Sequence, residues 1–93
     1  MRKVKEIRVD FTNLFNQQRK NAPLEIKTAF LEAFELFLEN PNHIALRNHV
    51  LTGKYSGIHS IDVTEDWRVL YKVEPDRIIF VELGTHEELY GKS

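Results

Sequence analysis

Four histidines, His43, His49, His59 and His86, are the side chains best suited to move protons near neutral pH, because an imidazole titrates close to 7. Acid-base catalysis with one such group taking a proton and another delivering it is the chemistry this composition offers most directly. Other chemistries lack their residues. The chain has no cysteine, so thiol catalysis and disulfides are absent, and no serine stands in a nucleophile elbow. Gly53 and Gly57 are too few and too far apart for a phosphate-binding loop. No two histidines share a helix at i, i+4 or show a metal-ligand spacing, so no metal and no other cofactor is expected. Taken singly, the candidates have plain structural readings. His86 follows Gly84-Thr85 and suits the start of a short helix, His49 suits a solvated loop, Asp66 a turn and Tyr90 core packing. His43 and His59 keep that structural reading.

The elements that must position these residues lie mainly in the last third. Between Gly57 and Gly91, three short apolar runs are separated by Thr64-Glu65-Asp66 and Glu74-Pro75-Asp76, and they end in Gly84-Thr85-His86. Ile58 to Val63 alternates as a half-exposed strand, while Trp67 to Val73 and Arg77 to Leu83 carry the β-branched and aromatic residues of buried strands. Because His59 lies three residues from Asp62, the two point to opposite faces of a regular strand. Upstream, Val4 to Val9 reads as a first strand, and Phe11 to Gln18 as a short helix capped by Asp10. Asn21-Ala22-Pro23 breaks that helix and starts a second, Leu24 to Glu39, with Ile26, Phe30, Ala33, Phe34, Phe37 and Leu38 on one face. His43 to Tyr55 reads as a structured loop. The predicted architecture is α+β: one domain over residues 1–93, with an N-terminal strand and two helices packed on a C-terminal antiparallel β-meander, the other sheet face left open to a ligand.

Apolar content of 42% and charged content of 29% are those of a globular protein, and no apolar run approaches the roughly 18 residues of a membrane span. Met1-Arg2-Lys3 leads into alternating residues, not a signal-peptide core, so a cytoplasmic location without membrane contact is expected. Thirteen Lys and Arg against fourteen Asp and Glu give a net charge of −1, where proteins that grip a phosphate backbone usually carry a basic excess. Any such grip must come from a local patch, for which Arg47, Lys54, Arg68 and Lys72 are the candidates.

Gly53, Gly57, the run Asp66-Trp67-Arg68-Val69-Leu70-Tyr71-Lys72-Val73 and the closing Gly84-Thr85-His86-Glu87-Glu88-Leu89-Tyr90-Gly91 resemble the C-terminal half of RelE/ParE-superfamily toxins, nearest the YafQ branch. The resemblance is strongest over Leu46 to Gly91 and architectural before it. It implies the toxin of a type II toxin-antitoxin system, a ribosome-dependent endoribonuclease that cleaves messenger RNA by metal-independent acid-base chemistry and is neutralised by a cognate antitoxin. On that pattern His49 and His86 are catalytic, with Asp66 as an acid and Tyr90 as the aromatic, and Lys54, Arg68, Lys72 and Trp67 are the candidates for RNA contact. Two positions depart from it. Asp62 stands where the pattern has a further catalytic histidine, and Glu82 stands where it has an arginine that would hold phosphate. These departures keep two alternatives open: a degenerate toxin that only binds its antitoxin, and a ParE-like inhibitor of DNA gyrase that is not an enzyme.

Overall fold

The structure, a computed structural model, describes residues 8–91. Strand β1 is Val9–Phe11, so most of the first strand predicted over Val4 to Val9 lies outside the described residues, and the strand runs two residues further than expected. Helix α1 is Asn13–Asn21, and its cap is Thr12, whose Oγ1 accepts the Phe15 N–H at 3.0 Å. Asp10 and Phe11 therefore do not begin a helix. Phe11 stays extended because its ring is then set against Phe15, Phe34 and Phe80, with centroids 5.3 to 5.8 Å away. Thr12 also donates to the Val81 carbonyl at 2.9 Å, which ties the strand-to-helix turn to the sheet.

Helix α2, Leu24–Glu39, has the predicted bounds, with Pro23 at its cap position, where a missing N–H costs nothing. Ile26, Phe30, Ala33 and Phe37 are buried beneath it. Phe34 is only partly buried, and Leu38, expected on the same face, is exposed, since at 3.6 residues per turn it stands about 100° round the helix from the buried Phe37. The loop that follows contains two single 3₁₀ turns, Ile44–Leu46 and Gly53–Tyr55, on either side of β2, His49–Val50. Gly53 and Gly57 both adopt positive φ, 71° and 87°, which glycine tolerates without a Cβ penalty.

Strands β3 (His59–Asp62), β4 (Trp67–Glu74) and β5 (Arg77–Thr85) form the predicted meander, and α3 (His86–Tyr90) closes the described chain. The sheet has five strands in the order β1-β5-β4-β3-β2, antiparallel except for β1, which runs parallel to β5. Between Leu70 and Tyr71 the pairing with β5 shifts by one residue, leaving Val81 unpaired. Without that bulge Phe80 and Leu83 would face opposite sides of the strand. With it, both join the helix-covered core.

Charge closes the far end of the sheet. Arg77 donates from Nη1 to Asp10 Oδ2 at 2.7 Å and from Nε to Glu74 Oε1 at 3.0 Å, linking three strands. The hydrogen bond from Arg77 holds the Asp10 carboxyl below its ordinary value. A carboxylate with a depressed folded-state pKa stabilises the fold above its unfolded pKa of about 4 and loses that contribution as pH falls through the folded value. Asp10→Asn is thus expected to flatten the acid side of the stability profile, read as a smaller drop in urea midpoint between neutral pH and about pH 3.

Candidate active site

The sheet face away from α1 and α2 is built from two cross-strand rows. Pairing aligns His49, Ser60, Leu70 and Glu82 in one, and Asp62, Arg68 and Gly84 in the next. Side chains directly opposite on neighbouring strands share a face, so His49, Ser60, Asp62 and Arg68 point to the same side. Helix α3 lies across this face at Gly84, where even a Cβ would meet the Leu89 side chain at 3.2 Å. Its start is fixed by a capping box between Thr85 and Glu88 and by the His86 N–H, which donates to the Asp66 carbonyl at 2.8 Å.

An open cleft of about 340 Å³ results, lined by His49, Asp62, Arg68, His86 and Tyr90 and flanked by Arg47 and Leu51. The Tyr90 hydroxyl donates to Ser60 Oγ at 3.1 Å, and the Tyr90 ring meets the His86 ring edge-on at 4.6 Å between centroids. Tyr55 supports the same helix by donating to the Leu89 carbonyl at 2.9 Å. His49 is held by a 2.9 Å hydrogen bond between Nδ1 and the Arg47 carbonyl. Since a carbonyl only accepts, Nδ1 carries the proton, and in the neutral ring Nε2 is left as the free acceptor. Asp62 pairs with two guanidinium groups, Arg68 at 3.1 Å and Arg47 at 3.3 Å.

Several predicted site residues lie elsewhere. The Asp66 side chain is exposed in the turn, where the Asp66 N–H donates to Thr64 Oγ1; it reaches the site only through its carbonyl. Trp67 belongs to the opposite face and lines a separate cleft beyond α3 with Gln18, Asn21 and Glu82. Glu82, expected at the phosphate, is cut off from the histidines by α3. Lys72 sits four residues along β4 from Arg68, roughly 13 Å at strand spacing, with its ammonium 4.0 Å from Glu74. Lys54 lies over the Tyr55 ring in the second 3₁₀ turn and does not line the cleft. The two remaining histidines are structural: His59 stacks on Tyr71 at 4.8 Å, and His43 accepts the Ala45 N–H at the start of a 3₁₀ turn. Ser60 was not singled out in the sequence, although a small polar residue two before Asp62 in an apolar strand marks the same face. Among the described residues no three His, Asp or Glu side chains gather as a metal would require.

Comparison with solved structures identifies the fold. Escherichia coli YafQ superposes with a TM-score of 0.78 at 21% identity, over 92% of this chain and all of that one. The same toxin in the E. coli DinJ-YafQ toxin-antitoxin complex gives 0.76 at 21% identity, over 94% and 100%. The toxin-antitoxin complex RelBE2 from Mycobacterium tuberculosis gives 0.70 at 19%, over 88% and 100%. No curated protein matches the chain by sequence search. The family model for YafQ, the bacterial toxin of a type II toxin-antitoxin system, matches residues 7–91, and the chain belongs to that family. Among the described residues no helix is long and apolar enough to cross a membrane.

Proposed function

We propose that this toxin is an endoribonuclease that cleaves messenger RNA on the ribosome in the cytoplasm, without a metal, and that a cognate antitoxin holds it in check. The observation that carries the reading is the convergence of His49, His86 and Tyr90 on one cleft with arginines at its floor and rim. His49 Nε2 takes the proton from a 2′-hydroxyl, and that oxygen attacks the adjacent phosphorus. The bond from phosphorus to the 5′-oxygen breaks, and His86 gives its proton to the leaving oxygen. The products are a 2′,3′-cyclic phosphate and a 5′-hydroxyl. Tyr90 orients His86 and offers a ring for a base, and the Asp66 carbonyl fixes where His86 starts. The antitoxin partner is extended to this chain from the DinJ-YafQ and RelBE2 complexes, each of which joins a toxin of this fold to an antitoxin.

A second reading, a remnant that only binds antitoxin, draws support from Asp62, whose charge offsets one of the two cleft arginines. Expression without the antitoxin separates the readings. Growth is expected to stop with loss of protein synthesis while DNA supercoiling stays normal. Growth unaffected, with no cleavage on programmed ribosomes, would establish the remnant, and arrest with intact translation and altered supercoiling would establish a gyrase inhibitor.

A further inference from the structure

RNA cleavage requires a cation for the scissile phosphate, and the position expected to supply one, Glu82, lies beyond α3. Lys54 and Lys72 stand outside the cleft, whose lining holds two guanidinium groups with different freedoms. Arg68 is 15% exposed, and its Nη1 donates to the Thr64 and Glu65 carbonyls at 3.1 and 2.7 Å while Nε contacts Asp62. Moving it onto a phosphate would break these hydrogen bonds to the turn as well as its contact with Asp62. Arg47 is 73% exposed, and among the described residues its guanidinium pairs with Asp62 alone. Asp62 is only 14% exposed but keeps its 3.1 Å contact with Arg68, so Arg47, the solvated member of its pair, can exchange that carboxylate for another anion without leaving a buried charge unpaired. Arg47 also adopts the left-handed region, φ 49°, at the end of the first 3₁₀ turn, and its carbonyl holds His49 Nδ1. One residue thus sets the tautomer of His49 and carries a movable guanidinium beside it.

We propose that Arg47 is the phosphate-binding residue of the cleft and that Asp62 is its resting partner, released when the phosphate of single-stranded RNA takes the Asp62 carboxylate's place. Arg68 remains with Asp62 throughout and keeps that carboxylate paired. The guanidinium fork suits two phosphate oxygens at once. This assignment rests on the RNA-cleaving reading for its substrate but is tested by binding alone.

The probe is a short 2′-O-methyl RNA oligonucleotide, whose blocked hydroxyl prevents cleavage, followed by fluorescence anisotropy across a salt series. Arg47→Asn is the informative substitution, since asparagine tolerates the left-handed backbone and keeps the carbonyl at His49. It is expected to weaken binding about tenfold and to lower the magnitude of the log-log salt slope by about 0.7, one single-strand phosphate contact. Asp62→Asn, which can still accept from Arg68, is expected to tighten binding severalfold, and the double variant to bind like Arg47→Asn. Equal tightening by Asp62→Asn with and without Arg47 would reduce the effect to net charge and overturn the proposal. So would an Arg47→Asn protein that binds like wild type, or no measurable binding by any of the four proteins. Thermal melts check folding, and Asp62→Ser replaces Asp62→Asn if the latter unfolds. Arg47-dependent binding without any cleavage on programmed ribosomes would remove the enzymatic reading and keep this one; cleavage indifferent to Arg47 would do the reverse.

Discussion

Replacing His86 by glutamine is expected to lower cleavage of ribosome-bound messenger by about 10² to 10⁴, the usual contribution of a positioned acid or base. The fold should not notice. His86 is exposed, its contribution to the start of α3 is a backbone N–H that glutamine also has, and the capping box uses Thr85 and Glu88. Glutamine keeps hydrogen-bonding capacity but cannot exchange a proton near neutral pH, so the loss should fall on kcat with KM and thermal midpoint little changed. A variant that cleaves within twofold of wild type would remove His86 from the chemistry and leave it as the cap that its sequence context also permits.

The second large effect concerns the core. Phe80 is fully buried, and six aromatic rings, from Phe11, Phe15, Phe30, Phe34, Phe37 and Tyr71, have centroids 5.4 to 6.1 Å from its own. Helices α1 and α2 and strands β1, β4 and β5 therefore meet at one side chain. Phe80→Ala should cost about 3 to 5 kcal/mol, a large part of the about 5 to 15 kcal/mol that holds such a domain folded. Its thermal midpoint should fall by roughly 10 to 40 °C. Phe34→Ala should cost less, because its ring is only partly buried. Equal midpoints for the two variants would mean that the rings do not converge on Phe80. Since β5 also leads into α3, a loosened Phe80 should carry the cleft with it.

Much of this architecture was legible in the chain. The 3.6-residue recurrence of Ile26, Phe30, Ala33 and Phe37, ended by Asn40-Pro41, defines α2, because a helix must bury one face and its ends are set by local chemistry. Alternation and the Glu74-Pro75-Asp76 turn define the meander, and the opposite facing of His59 and Asp62 follows from strand period alone. The closing run from Gly84 to Gly91 carried the family, which the match over residues 7–91 now establishes.

Tertiary structure decided the rest. Phe11 has the spacing of a helical residue, yet pairing with Phe80 on β5 holds it extended, because a parallel neighbour outweighs a local cap preference. The bulge at Val81 leaves no trace in the pattern, since a one-residue slip looks like any other apolar run, but it sets Phe80 on the core face. The site divides the same way. That His49, Asp62, Arg68, His86 and Tyr90 share a cleft depends on register between strands and on α3 crossing at Gly84, while Trp67, Lys72 and Glu82, close to them in sequence, fall on another face, further along a strand, or behind the helix. Residue types and spacing specify what each side chain can do and which way it points within its own element. Which of them meet is set by long-range pairing, and that is a property of the folded chain.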